Sequence, residues 1–165
     1  VEQTGKEFVV NRSFALAASA DDQERLAHAK LSFNKYCGVQ EWGNCVFLWV
    51  NLGHADSPND FLDDARRVTW FGGSRMHDES PVIHKLLEYG REASGAGGSN
   101  IVLWCRRHRP EEKRFGPYVC FGRMGYRSHV PGSRPLSFVW ELLDYDRLKN
   151  HADAGVRQTF EEFTG

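Results

Sequence analysis

Apolar positions along the chain follow two rhythms. Residues 45–52 (CVFLWVNL) are apolar almost without interruption, the pattern of a strand buried on both faces. Residues 67–71 form a short strand that ends at the flexible pair Gly72-Gly73. Residues 101–107 begin apolar and end in charge, and residues 117–124 (PYVCFGRM) are their hairpin partner across a charged, turn-like stretch at 109–116. Residues 126–129 continue the sheet after Gly125, residues 130–134 make a turn, and residues 136–143 (LSFVWELL) are the last clear strand. Helical spacing occurs elsewhere. Leu26, Ala29 and Phe33 predict a helix over 21–36 with acids near its start. Ser80 reads as a cap and Pro81 as the first residue of a helix to about Ala93, with Val82, Ile83, Leu86 and Leu87 as its apolar stripe. The polar tail 144–165, with spaced Leu148, Val156, Phe160 and Phe163, reads as a further helix, and 53–64 and 94–100 read as loops.

Five or six strands joined by short turns, with two or three helices outside them, predict an α+β fold. Its expected form is a small, strongly bent, mostly antiparallel sheet or a partial β-barrel flanked by those helices. A length of 165 residues predicts one domain spanning 1–165. The chain opens on Val1 and polar residues rather than Met, the pattern expected of a piece of a longer protein. No apolar run approaches the roughly 20 residues of a membrane span, so no membrane partner is expected. None of Cys37, Cys45, Cys105 and Cys120 forms a C-x2-C pair, and the last three sit in apolar runs. Free, buried thiols in an intracellular, reducing compartment are the expectation; the alternative is a zinc site from Cys37 and Cys45 with histidines.

Charge changes this picture. The net charge of −1 argues against a protein that coats DNA with uniform basicity. Residues 101–135 nevertheless carry eight basic and two acidic side chains, a balance of +6, which leaves −7 on the rest of the chain. A basic segment on an acidic body fits a polyanion binder with one working face; solvated hairpin ends on an antiparallel sheet would give the same count. Arg75, Arg106, Arg107, Arg109, Arg123, Arg127 and Arg134, together with Ser133, are the candidate phosphate ligands, because the guanidinium fork matches phosphate oxygens.

Two segments combine exposed polar residues with aromatics, 68–81 (VTWFGGSRMHDESP) and 126–140 (YRSHVPGSRPLSFVW). Trp70 and Phe71 precede two glycines, which let a backbone approach a ligand closely, and they read either as ligand contacts or as core. Ser74, Tyr118, Tyr126, Ser128 and His129 complete a candidate base-binding pocket, since bases stack on aromatic faces and hydroxyls or imidazole meet their edges. Ser128-His129 and Ser133-Arg134 also read as plain turn chemistry around Gly132 and Pro135. Catalytic signals are weaker. His77, Asp78, Glu79 and His84 precede or open a helix, where acids are expected anyway, and no phosphate-binding loop, nucleophile elbow or H-E-x-x-H motif occurs. No metal or cofactor is expected.

The order LWVNL, TWFGGSRMHDESP, helix, IVLWCRR, GPYVCFGRMGYRSH, GSRPLSFVWELL resembles an uncharacterised domain family. Its members lie at the C-terminal end of bacterial proteins that join a phospholipase-D-like nuclease to a helicase, or beside an HNH nuclease. The likeness runs over about 45–143 and rests on Trp70, Ser74, Glu79, Ser80, Pro81, Pro117, Tyr118, Gly122, Tyr126, Ser128, His129, Gly132, Ser133, Arg134 and Pro135. This chain departs from it in the basic Arg75 and in a Val130-Pro131 turn one residue longer. The resemblance implies a DNA-directed accessory module of a restriction-type system, with a nuclease or helicase as partner. The strand order is also similar to small PUA-like and SRA-type barrels that accept a flipped base. The expected function is therefore a non-catalytic reader of double-stranded DNA. It would hold phosphates with arginines and take a modified base such as 5-methylcytosine into an aromatic pocket. A docking domain of a nuclease–helicase system and a metal-dependent nuclease are the other classes.

Overall fold

The computed structural model describes residues 8–9, 38–41, 45–54, 58–92 and 100–165. The predicted helix over 21–36 and Cys37 lie outside them. The strands are β1 (Phe8–Val9), β2 (Val39–Glu41), β3 (Val46–Leu52), β4 (Phe61–Leu62), β5 (Arg67–Phe71), β6 (Ile101–Arg109), β7 (Arg114–Phe115), β8 (Tyr118–Val130) and β9 (Ser137–Leu142). The helices are α1 (Pro81–Glu92), α2 (Tyr145–Lys149) and α3 (Ala154–Thr164), with one 3-10 turn at Pro110–Glu112. The fold is α+β, as the pattern predicts.

The strands pair in the order β2-β3-β6-β8-β9-β5-β4, with β1 on β8 and β7 on β6. The path is open, and the sheet does not close into a barrel. Most neighbours are antiparallel, but β3 and β6 run parallel from Val46↔Ile101 to Leu52↔Arg107. The continuous apolar run of β3 follows from this central position: only Asn51 is less than fully buried along it.

One long strand carries the sheet from end to end. The two short strands expected over 117–124 and 126–129 are the single strand β8. Its first half pairs with β6 up to Val102↔Arg123, and its second half pairs with β9 from Met124↔Leu142 to Val130↔Ser137. The change of partner falls next to Gly122, whose φ of +83° is cheap only for glycine. A Cβ there would lie 2.5 Å from Oδ2 of Asp144.

The main core lies under the helices. Ile83 and Leu86 of α1, and Phe160 of α3 with Tyr145 and Leu148 of α2, bury against Val50, Val68, Trp70, Phe121, Phe138 and Trp140. Gly90 lets α1 close onto the sheet, since a Cβ would stand 2.7 Å from Cβ of Tyr126 and 2.8 Å from Trp140. The Ser80 hydroxyl accepts from the His77 amide at 3.0 Å, and it is the Ser80 carbonyl that takes the first helical bonds, from Ile83 and His84. A smaller cluster, Cys45, Phe47, Trp49, Val102, Trp104, Tyr118 and Cys120, forms separately, with Trp49 and Trp104 stacked at 5.4 Å. Cys45, Cys105 and Cys120 are buried thiols outside any disulfide; burial pushes the Cys105 thiol well above its usual pKa, with the nearby Cys120 adding to it. No described helix is long and apolar enough to cross a membrane.

Candidate functional site

The predicted pocket does not assemble as one surface. Trp70 is 1% exposed and its ring packs 5.5 Å from Phe138 inside the main core. Alternation explains this: Val68 and Trp70 point inward from β5, while Arg67, Thr69 and Phe71 point the other way and stay half-buried. Of the two readings of Trp70, the structure carries the core one, and a base cannot stack on it without opening the sheet. Tyr118, 5% exposed, is likewise buried, in the smaller cluster.

Tyr126 and His129 do come together, through a bulge. The register between β8 and β9 shifts between Tyr126 and Ser128, which leaves Arg127 without a partner residue on β9. The extra residue resets the alternation, so that His129 shares the inner face with Tyr126 while Ser128 and Val130 face out. The Tyr126 hydroxyl lies 2.8 Å from His129 Nδ1. His129 Nε2 lies 3.5 Å from Asp78 Oδ1, and the imidazole stacks on Phe138 at 5.0 Å. Both ring nitrogens thus face protein groups, and only 11% of the side chain is exposed. Asp78 also accepts from the Gly132 amide at 2.8 Å, so it ties the loop after β5 to the β8–β9 turn. Sequence reasoning placed His129 at a base edge and gave Asp78 no part in the pocket. The structure makes the two a link inside the protein.

The arginines divide into two groups. Arg123 donates from Nε and NH2 to the two oxygens of Asp144, at 3.0 and 2.7 Å, and its backbone amide donates to Oδ2 at 2.8 Å. Asp144 is 2% exposed, and its hydrogen bonds raise the Arg123 pKa above the usual guanidinium value. Arg123 therefore fastens the bend of β8, and its fork is taken up by a buried carboxylate. Arg107 donates to the Phe163 carbonyl at 2.7 Å, holding the end of α3. Arg109 pairs with Glu112 at 3.1 Å, and Arg114 pairs with the same carboxylate; the Arg114 hydrogen bond leads the causes that lower the Glu112 pKa. Arg106 donates from Nε to Asn51 Oδ1 at 2.7 Å and lies over the rings of Phe115 and Tyr118. Ser133 closes its own turn, donating to the Val130 carbonyl at 2.7 Å and accepting from the Ser137 amide at 3.0 Å, so its hydroxyl is occupied.

Arg75, Arg127 and Arg134 are different. All three are exposed, and none has an ion-pair or hydrogen-bond partner among the described residues. They gather at the hairpin end of the sheet. Gly72 donates to the Leu136 carbonyl at 2.9 Å, which sets the Ser74-Arg75 turn beside the β8–β9 turn that carries Arg134. The last row of the ladder there is Phe71, Ser137 and Val130, with Val130 56% exposed. Ser74 and Ser128 are exposed nearby. The described residues contain no group of three or more metal-ligating side chains. No known family model matches the chain, and no curated protein matches it.

Proposed function

We propose that this chain is a DNA-binding module that engages double-stranded DNA at the hairpin end of the sheet. Arg75, Arg127 and Arg134 meet phosphates there, and the outward row of Phe71, Ser128 and Val130 lies against the grooves. The observation that carries this reading is the contrast in charge pairing: these three guanidinium groups alone among the predicted phosphate ligands are exposed and without a partner among the described residues. A surface arginine without a carboxylate keeps its fork available for a phosphate, and phosphate contacts set position and affinity. Discrimination of a modified base such as 5-methylcytosine then falls to Phe71 with Ser74 and Ser128, the predicted pocket residues that remain accessible. A flipped base would cost a few kcal/mol to unstack. The resemblance to accessory domains of helicase–nuclease proteins favours the same class of partner.

The test is a titration of short labelled duplexes, unmodified and carrying 5-methylcytosine, 5-hydroxymethylcytosine or N6-methyladenine, over a series of salt concentrations. Three phosphate contacts predict a slope of log K against log salt of about −2.7. A preference of about tenfold or more for one modification, about 1.4 kcal/mol, establishes a reader. Equal, salt-dependent binding leaves a general DNA clamp. Absence of binding overturns the reading.

A further inference from the structure

We infer that Arg106, with His108 beside it, forms a second site at the other end of the sheet, and that it takes a phosphate monoester. The site is independent of the hairpin. Asn51 and Arg106 are register partners on β3 and β6, and Tyr118 opens β8 beside them. The parallel strands β3 and β6 end here together, and the crevice outside the carboxyl ends of parallel strands is where open sheets hold ligands.

The decisive feature is an uncompensated charge. Arg106 is half-buried, yet every group it touches is neutral. Its Nε donates to the Asn51 amide oxygen at 2.7 Å, and its Cζ lies 4.4 Å from the Phe115 ring centre and 4.7 Å from that of Tyr118. No carboxylate among the described residues pairs with it, and the nearby Glu112 is taken by Arg109 and Arg114. Burial raises the Tyr118 pKa, with the charge of Arg106 opposing it only in part, so the phenol stays neutral and supplies no counter-charge. A guanidinium drawn partly out of water without an anion is costly, and an arriving anion recovers that cost. The bond to Asn51 uses Nε, and the rings fix the plane of the group, which presets the direction in which its terminal nitrogens point.

His108 gives the anion its class. His54 and His108 stand edge to face at 4.8 Å, and both rest on Phe115, at 5.6 and 5.2 Å. A guanidinium fork and the imidazole N–H of His108 together match the three terminal oxygens of a phosphate monoester, where a diester offers two. That phosphate comes from a free nucleotide or from the 5′ end of a nucleic acid.

The experiment follows the ring resonances of His108 and the Nε resonance of Arg106 by NMR. Inorganic phosphate is titrated first, then a nucleoside 5′-monophosphate, then matched duplexes ending in a 5′-phosphate or a 5′-hydroxyl. Inorganic phosphate is expected to shift both residues, and Arg106→Gln to weaken its binding about tenfold or more. Arg106→Lys, which keeps the charge and the stem but not the fork, is expected to weaken it as well and carries the test if Arg106→Gln does not fold. A preference for the 5′-phosphate duplex assigns the source to nucleic-acid ends; equal duplexes with a monophosphate that shifts His108 assign it to free nucleotides. No shift with any phosphate, or shifts unchanged in Arg106→Lys, overturns the inference. Inorganic phosphate needs no duplex, so failure of the hairpin to bind DNA leaves this result standing.

Discussion

The two ends of β8 carry the same residue type to different purposes. Near its start, Arg107, Arg109 and Arg123 turn toward a carbonyl and two carboxylates. Near its end, Arg127 and Arg134, joined by Arg75, meet no protein partner among the described residues. The difference comes from where the strand must bend. Gly122 permits the turn in the backbone, Asp144 enters the space a side chain would have filled, and Arg123 neutralises the buried carboxylate. An arginine count therefore overstates a phosphate-binding surface wherever sheet architecture consumes the charges.

The largest expected effects come from the residues that the fold has absorbed. Trp70→Ala removes a ring 1% exposed in the main core and is expected to cost about 3 to 5 kcal/mol by chemical denaturation. A variant that keeps its stability and loses only discrimination between modified bases would return Trp70 to a binding site. Arg123→Met strands Asp144 as an unpaired carboxylate 2% exposed, with an expected loss of about 3 to 5 kcal/mol. Its effect on DNA affinity, measured on the folded fraction, is expected to be negligible; a selective loss of affinity would erase the contrast between the two ends. Arg107→Gln removes a charged hydrogen bond to the Phe163 carbonyl, with an expected cost of about 1.5 to 3 kcal/mol. Faster hydrogen exchange in α3 is the local sign of that loss.

Much of this frame was legible in the sequence. Helix α1 follows from the spacing of Ile83 and Leu86 after Ser80-Pro81, and β3, β5, β6 and β9 follow from apolar runs or alternation. The short strands β2, β4 and β7 were not, because two or three residues carry no period and exist only through pairing with distant partners. The parallel pairing of β3 with β6 was equally hidden, since an apolar run shows burial and not the direction of its neighbour. Gly125 reads as a break between strands, whereas it is a close-approach point within one: a Cβ on Gly125 would lie 3.1 Å from Leu143. The site was harder still. Asp144 meets Arg123 across 21 positions, and Asp78 meets the Gly132 amide across 54, so neither link leaves a local signal. The bulge at Arg127 puts His129 rather than Ser128 on the face of Tyr126, which simple alternation along the strand does not give. One trace did exist for the far end: β3 and β6 each run from an apolar stretch into a histidine, WVNLGH and LWCRRH. Parallel strands in register bring such endings together.

The smallest change in stability is expected where the consequence for binding is greatest. Arg127→Gln and Arg134→Gln each remove an exposed charge with no partner among the described residues, so each is expected to shift stability by no more than about 0.5 kcal/mol. If these groups hold phosphates, each substitution lowers affinity for every duplex to a similar degree and reduces the salt slope by about 1. The double variant reduces it by about twice that, because each contact releases its own counterions. The reduction in slope separates phosphate contact from non-ionic damage to the binding surface, which would lower affinity evenly at all salt concentrations. An unchanged slope in the double variant would mean that the open arginines of the hairpin end are surface residues, and that the two ends of β8 differ in packing alone.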